Sequence, residues 1–543
     1  MFYKFFRHKT IFLILILGFL VRIWNIESPF FTPDEAQIVS RGYFLANQST
    51  DELGRKFPWL FNGSNDYELP VVSYLTAVGV KLLGKNDLGS RISFILLGVF
   101  WIYLLIKLSQ ELFKDKFTSH IIGLIAAFSS GAIFLSKIPN NIIFSWVLLT
   151  ILCYLFVRRK NIILIIVTLL LLLLTSKVFW FIILPFIFIS LLFRDRNQIF
   201  KEKSNLVLLG VSLGLTIFCF TFFLNIPQSI RSLAENNFTL FTNSDNQTSI
   251  NVLRGHGLKA GVPADIEKLL FNKLSLVGLG VVHLLDHLNP LNYFGNTHDG
   301  SYNFANFGFL PKSGIILFLI GIYSIIRKKR DVFLLLGIVL VSSTSFLIYP
   351  GISTPILLLS VPFLFLIMAE GIKNVPKYVS LIIFSLVILE SLLLFGSSDI
   401  EAKKPDGVRS SWIKPITEDV YDRSLKNKSY ISDDIVDGFG YYLVWLSDYK
   451  YINPSDSLIK YPYKYNLELG NNISYLHQDS IFKSCFLENG ELIMKSSAFV
   501  SPRDYKRVSS LVTEELLKQS TSKIYYDSKG HIQGYLVENI LCL

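Results

Sequence analysis

Residues 22–44 read RIWNIESPFFTPDEAQIVSRGYF. The stretch leaves an apolar run that ends near Trp24 and sets two adjacent carboxylates, Asp34 and Glu35, just after Pro33. Acids are costly beside a hydrocarbon core and cheap in a solvated loop. Thr32 or Asp34 can cap a helix here, Pro33 suits a first turn, and acids favour the positive end of a helix dipole. Taken alone, the pattern fits two readings equally: a capped amphipathic helix on a membrane surface, or a carboxylate pair held for chemistry. The rest of the chain has to decide.

That chain is long, basic and apolar. It has 543 residues, 51% of them hydrophobic, a formal net charge of +11 and a mean hydropathy of +0.46. These values belong to polytopic membrane proteins. The charge does not point to nucleic acid. From about residue 396 onward acids slightly outnumber bases, so the basic excess lies among the apolar spans. Lys and Arg beside spans follow the positive-inside rule, with membrane lipids as their partners. The start, MFYKFFRHKT then IFLILILGFLV, has the charge and apolar core of a signal sequence but no small-residue cleavage site, and reads as an uncleaved first span. Cys153 and Cys219 lie in apolar runs, and Cys485 and Cys542 in the tail decide nothing about redox compartment.

A spanning helix needs about 20 apolar residues. Candidate spans run over 9–24, 88–113, 118–136, 141–157, 161–175, 177–193, 205–225, 308–326, 331–349, 353–371 and 377–395, about eleven in all. The long run 161–193 is broken at Thr175-Ser176-Lys177, which predicts a tight hairpin. With a cytoplasmic N-terminus, KFFRHK, KDK (114–116), RRK (158–160), RDRNQIFKEK (194–203), RKKR (327–330) and KNVPK (373–377) all fall inside, and the short outer turns carry only Lys137 and Lys177. The outer side then receives 25–87, 226–307 and the tail 396–543. VVSYLTAVGVKLLG (71–84) is apolar but short. Counting it as a span would put RRK and RKKR outside, so it is placed as an interfacial helix. The expected organisation is a helical membrane module over 1–395 and a mixed α/β domain over 396–543. In that tail the runs GYYLVWL, ELIMKS, KIYYD and GYLVEN read as strands and RDYKRVSSLVTEELLKQ as a helix.

Several polar residues on the outer side carry two readings each. Glu68, in NDYELPVVSYL, is a surface acid or cap, or a site carboxylate. Lys177 sits between two apolar runs, where an ammonium either snorkels to the interface or holds a lipid phosphate. Arg91 opens a span in LGSRISFIL on the side where positive charge is not expected, with the same two readings. Arg254 and His256, in NVLRGHGLKAG, read first as a surface turn. HLLDHLNPLNYFGNTHDG (283–300) holds His283, His287 and His298. His283 and His287 share a helix face at a spacing that can hold a metal, but without the glutamate of an HExxH order. No GxxxxGK[ST] is present.

The order of these pieces resembles the GT-C glycosyltransferases that take sugar from a polyprenyl-phosphate carrier. The similarity is to the protein O-mannosyltransferase and aminoarabinose-transferase type, glycosyltransferase family 39. The acid pair of RIWNIESPFFTPDEAQIVSRGYF matches the hallmark of the first outer loop. NDYELPVVSYLTAVGVKLLG matches a second motif, and GSRISFILLG the Arg-initiated span after it. LLLLTSKVFW matches a later apolar run ending in Lys, and FNKLSLVGLGVVHLLDHLNPLNYFGN the large second outer loop. Coverage is roughly residues 10 to 330. Two positions depart from the pattern. Leu69 stands where aminoarabinose transferases carry a phosphate-holding lysine, and SKIPNNIIF, with Asn140 and Asn141, replaces an Arg-x-x-x-x-Asp turn.

The resemblance implies an inverting transfer at headgroup height on the outer face of a prokaryotic plasma membrane. Asp34 would take the acceptor's proton, and Glu35 would orient the acceptor or tune its neighbour. Lys177 and Arg91 would face the leaving phosphate, with Arg41, two helical turns beyond Asp34, as a further candidate. Glu68 would position the donor sugar or hold a divalent metal, for which oxygen ligands suggest Mg, Mn or Ca. Arg254, His256 and His287 are candidates for the acceptor side, and the acceptor is a lipid, a glycan or a protein. The rivals are an oligosaccharide ligase of the same broad fold, a lipid or glycan flippase, and a membrane-anchored binding protein. A flippase predicts charges buried mid-span and inverted repeats. Here Glu370 and Glu390 lie toward span ends, and no internal repeat is visible.

Overall fold

The computed structural model describes residues 2–26, 31–51, 54–62, 67–158, 162–176, 178–194, 203–225, 244–263, 265–266, 273–295, 308–328, 332–343 and 354–401. In the tail it describes 416, 419, 422–423, 429–432, 473–476, 497–500, 521–526 and 532–538. The first half holds α1 Phe2–Ile23, α2 Pro33–Gln48, α3 Val71–Leu83, α4 Asp87–Phe113, α5 Lys116–Phe128, α6 Ser130–Lys137, α7 Asn141–Val157, α8 Ile162–Leu173, α9 Val178–Arg194 and α10 Lys203–Asn225. The second holds α11 Ser244–Lys259, α12 Lys273–Leu288, α13 Leu291–Phe294, α14 Ile315–Lys328, α15 Phe333–Ser343, α16 Thr354–Leu359, α17 Val361–Asn374 and α18 Lys377–Glu401. A two-stranded antiparallel sheet joins β1 Phe61–Asn62 to β2 Tyr67–Glu68.

The helices follow the apolar runs closely. The run 141–157 is α7, 71–84 is α3, and the break expected near Thr175 falls between α8 and α9. Two expected spans are broken. The 118–136 run is α5 and α6, bent by 57°, and the 353–371 run is α16 and α17. Among the described residues, α4 alone is long and apolar enough to cross a membrane by itself, and the bent α5/α6 pair passes the same test as a unit. Much of the remaining apolar length is in shorter helices, α3, α7, α8, α12 and α15 among them.

Each break has a cause that can be named. Pro362 lacks an N–H, so the Leu358 carbonyl one turn earlier has no backbone donor, and the ring disfavours an unbroken helix. The Trp146 indole N–H donates to that carbonyl at 2.7 Å instead. At the α5/α6 break the last carbonyls of α5 are taken by distant side chains. Arg22 reaches Ala127 O at 3.0 Å and Ala126 O at 3.4 Å, and the Ser391 hydroxyl donates to Phe128 O. The hydroxyls of Ser129 and Ser130 donate to Phe309 O and Gly308 O, both at 3.1 Å. Gly131 leaves the room for that passing chain, since a Cβ there would lie 2.4 Å from Phe309 O. Backbone groups with no water nearby must be satisfied internally, and here side chains do it.

The chain divides into two compact units. One comprises residues 1–25, 60–71 and 94–395; the other comprises 26–59, 72–93 and 396–543. The first has its core in Trp101, Trp146 and Phe365, with Trp101 tilted on Trp146 at 4.8 Å and edge-on to Phe365 at 5.3 Å. In it α14 and α17 cross closely: a Cβ at Gly321 would lie 2.0 Å from Ile367 O, and one at Gly371 1.9 Å from Leu317 O. In the second unit the tail forms a five-stranded sheet from β3 Ser429–Ser432, β4 Ile473–Leu476, β5 Ser497–Val500, β6 Thr521–Tyr526 and β7 Ile532–Glu538. The order is β4-β3-β5-β7-β6; β3 runs parallel to β4 and β5, and β7 antiparallel to β5 and β6. KIYYD and GYLVEN fall on β6 and β7. The runs GYYLVWL, ELIMKS and RDYKRVSSLVTEELLKQ lie outside the described residues.

Candidate functional site

The acid pair opens α2, and the local sequence explains why the helix begins there. Thr32 is the N-cap, with extended backbone; its hydroxyl accepts from Glu35 N–H at 3.3 Å. The Glu35 carboxylate reaches back to accept from Thr32 N–H at 3.1 Å, closing a capping box. Pro33 takes the first helical position, where its missing N–H costs nothing. Asp34 therefore holds the second position, within the first turn, where the helix dipole favours an anion. Its side chain lies outside the described residues. Of the two caps the sequence allows, Thr32 is the one used.

The helix then carries an unusual load of buried polar groups. Glu35, Gln37 and Ser40 are buried, and Arg41 is wholly enclosed. Gly42 is where α2 meets α3: a Cβ there would lie 2.6 Å from the Thr76 methyl. Arg91, on the first turns of α4, is also wholly enclosed. Its guanidinium donates to Ile26 O and lies 4.5 Å from the centre of the Phe31 ring. It thus pins both ends of the segment that leads into α2. A buried guanidinium is tolerated only when hydrogen-bonded. One compact unit accordingly holds the Glu35 carboxylate and two enclosed arginines, Arg41 and Arg91, on elements that meet at glycines.

The other candidates fall elsewhere. Glu68 is on β2, in register with Phe61, and its side chain lies outside the described residues, as does the whole of Lys177. Arg254 and His256 are on α11, the first half-buried and the second exposed, so the expected turn is helical. His287 is buried on α12; its Nδ1 lies 2.8 Å from His283 O, and its carbonyl accepts from the Tyr293 hydroxyl at 2.8 Å. Burial pushes the Tyr293 phenol up to about 12, against the pull of Ser360 and Ser342. This cluster knits α12 to α13 rather than presenting imidazoles to solvent. Among the described residues no three His, Cys, Asp or Glu side chains gather as a metal site would require.

Sequence reasoning missed a pair of cations in the first unit. Arg22, wholly buried on the last turn of α1, donates to Ser136 Oγ at 3.1 Å as well as to the end of α5. Lys137, at the end of α6, donates in return to Trp24 O at 2.5 Å and Asn25 O at 3.3 Å, just beyond the end of α1. Asn25 there adopts a left-handed backbone, φ 48°. Arg22 of α1 thus caps the end of α5, and Lys137 of α6 caps the end of α1. The signal was present: a lone Arg closing an otherwise apolar run has to find carbonyls. Glu390 was likewise legible only as an acid near a span end. It accepts from Lys312 N–H and Ser313 N–H, both at 2.9 Å, at the turn that leads into α14.

No family model matches the chain, and no curated protein does. Among solved structures it is similar to the oligosaccharyltransferase of Archaeoglobus fulgidus, solved with Zn and sulfate. There the TM-score is 0.47 at 13% identity, over 98% of this chain and 73% of that one. It is also similar to ArnT from Cupriavidus metallidurans. The apo form gives a TM-score of 0.43 at 13% identity, and the form bound to undecaprenyl phosphate 0.44 at 12%, each over 97% of both chains. Both proteins are glycosyltransferases of the GT-C fold, the class that the sequence resembles.

Proposed function

We propose that this protein is an inverting glycosyltransferase of about eleven spans that moves a single sugar from a polyprenyl-phosphate carrier to an acceptor hydroxyl. The reaction takes place at the outer face of a prokaryotic plasma membrane, with the N-terminus in the cytoplasm. The observation that carries the reading is the start of α2: a capping box sets Asp34 at the second helical position, in a unit that also encloses Arg41 and Arg91.

In this reading the acceptor oxygen attacks the anomeric carbon from the face opposite the phosphate. Its proton passes to the Asp34 carboxylate. The bond from the anomeric carbon to the phosphate oxygen breaks, and its electron pair leaves with the phosphate. A phosphate is a weak base, so no general acid is required; positive charge is. Arg91, Arg41 and Lys177 are assigned to it. Glu35 holds the helix start that fixes Asp34, and Glu68 positions the donor sugar. Arg254 and His256 remain assigned to the acceptor side, and the tail domain, 396–543, to recognition of the acceptor; the buried His287 is not. Should a divalent ion take part, Glu68 is the acid proposed to hold it.

The test is transfer from a synthetic polyprenyl-phosphate hexose by the purified full chain and by Asp34→Asn. Transfer by the first and not the second is expected. Equal activity in both removes Asp34 as the base. No transfer from any such donor, with transfer of a whole lipid-linked glycan, replaces the reading by an oligosaccharide ligase.

A further inference from the structure

Between α2 and α3 the described residues 49–51 and 54–57 pair as the two arms of a small hairpin. Asp51 N–H donates to Arg55 O at 3.0 Å and Phe57 N–H to Ser49 O at 3.1 Å, with an isolated bridge between Thr50 and Lys56. The buried Asp51 carboxylate accepts from Arg55 N–H at 2.8 Å and Arg55 Nε at 2.6 Å. The base of the hairpin is tied to α3, where the Tyr74 hydroxyl donates to Pro58 O at 3.1 Å. Burial, helped by the charge of Asp51, pushes the Tyr74 phenol above its ordinary range.

On this frame two large aromatic residues face outward. Phe57 is 68% exposed and Trp59 62%, while Pro58 between them is buried. Phe57 adopts φ 45°, a left-handed backbone that is strained for a bulky residue and persists only where the surroundings impose it. Arg55 and Lys56, which precede Phe57 in the chain, are also exposed. Next to the hairpin, α3 shows its own apolar row, Val78, Leu82 and Leu83, with Leu82 74% exposed.

The occupant of this surface follows from what α3 is fastened to. A Cβ at Gly79 would lie 2.3 Å from Gly89 O, and the Ser93 hydroxyl donates to Leu75 O at 2.7 Å, so α3 lies directly on the first turns of α4. Asn86 closes the turn between them, accepting from Gly89 N–H at 2.6 Å and donating to Leu83 O at 2.8 Å. The helix α4 is the one described helix that can cross a bilayer alone. Whatever is held on its first turns is held at the bilayer surface. Exposed Trp and Phe beside Arg and Lys are the composition of that layer: rings sit at headgroup level, and cations reach the phosphates.

We infer that the 49–59 hairpin is a membrane anchor, its Phe57 and Trp59 rings lodged in the interfacial layer of a phospholipid bilayer beside Val78, Leu82 and Leu83. The inference rests on α4 being a membrane span, and its test separates the two. The full chain, with its four cysteines replaced, is reconstituted in nanodiscs of phosphatidylcholine and phosphatidylglycerol. Spin labels are placed through Phe57→Cys, Trp59→Cys, Leu82→Cys and Leu96→Cys. Collision rates with oxygen and with a water-soluble nickel chelate are compared at each label. Oxygen is expected to dominate at all four. Nickel dominating at 57 or 59 while oxygen dominates at 96 overturns the anchor and leaves the span in place. Nickel dominating at 96 overturns the span itself. Should Phe57→Cys not fold, Arg55→Cys serves in its place, with a label expected at headgroup depth and an aqueous one counting against the anchor.

Discussion

Arg22 and Ser136 stand 114 positions apart and meet at 3.1 Å, and the space for that meeting is the missing side chain of Gly98. A Cβ at Gly98 would lie 2.2 Å from Ser136 Oγ and 3.1 Å from Arg22 Nε. The serine cannot swing away cheaply, since its hydroxyl is bound to Ala132 O at 2.6 Å. Arg22→Met should therefore lower stability by about 3 kcal/mol or more, because it strands buried carbonyls that each cost about 1–3 kcal/mol when left unpaired. Gly98→Ala should lower it through the same contacts. Thermal unfolding in detergent should show the double variant losing less than the sum of the two. Additive losses would mean the glycine serves something else.

The capping box makes the two acids of α2 separable. Thr32→Ala should lower stability by about 1 kcal/mol and leave the chemistry in place. Glu35→Gln keeps an oxygen for Thr32 N–H, so it should resemble wild type in both respects. Asp34→Asn should lower the transfer rate by about 10²–10⁴-fold, the usual contribution of a general base, with stability little changed. Transfer and unfolding measured on the same three preparations decide this. A large loss of rate in Glu35→Gln at full stability would move the chemistry to Glu35.

Most of what could be read in the sequence was local. Thr32-Pro33-Asp34-Glu35 announces a helix start through rules that act within one turn, and the helix begins there. The runs behind α3, α4 and α7 have boundaries set by composition, and they were read to within a residue or two. What escaped was long-range satisfaction of backbone groups. Nothing near Ser129 in the sequence says that a helix can break there, because the carbonyls freed by the break are taken by Arg22 and Ser391 from more than 100 residues away. The α16/α17 break was half legible: Pro362 was visible, its partner Trp146 was not. At the site, the acid pair and Arg91 stood out as exceptions to pattern, whereas the enclosure of Arg41 depends on packing around α2 that sequence spacing does not specify.

The α14/α17 crossing should tolerate no added methyl. Gly371→Ala would set a carbon 1.9 Å from Leu317 O, and Gly321→Ala one 2.0 Å from Ile367 O. Neither obstacle is a side chain that can rotate, so the helices must part. Separation also strains the cluster beside the crossing, where the Glu370 carboxylate accepts from the Ser324 hydroxyl at 2.6 Å and from Lys328 at 3.2 Å. Each substitution should cost roughly 1–3 kcal/mol or more, read as a fall in unfolding temperature. Small residues elsewhere, such as Gly210, which faces open space, should accept alanine without loss.

Asp115 gives a pH dependence with a definite sign. It caps α5, accepting from Phe117 N–H at 3.2 Å and Thr118 N–H at 3.0 Å. Burial pushes its carboxyl up, but the Thr118 hydroxyl, the two backbone donors and nearby Lys377 together outweigh burial and hold it below the ordinary 3.8. A depressed carboxylate contributes stability above its unfolded value and loses it as pH falls through the folded one. The gap in unfolding temperature between wild type and Asp115→Ala should therefore be full at neutral pH and close only below pH 3.8. A gap that is unchanged in acid would mean the cap works as well protonated.

The sharpest test of the broken helices uses Trp146 and Pro362 together. The Leu358 carbonyl lacks a backbone donor because residue 362 is proline, and the Trp146 indole supplies one at 2.7 Å. Trp146→Phe keeps an aromatic ring against Trp101 but removes the donor, so a buried carbonyl is left unpaired at about 1–3 kcal/mol. Pro362→Ala restores an N–H one turn from that carbonyl. In the Pro362→Ala background Trp146→Phe should therefore cost less, by about the worth of the hydrogen bond. The ring's packing is lost equally in both backgrounds and cancels from the difference. A cost that does not change with the residue at 362 would show that Trp146 serves there through packing alone, and that the break is held by other contacts.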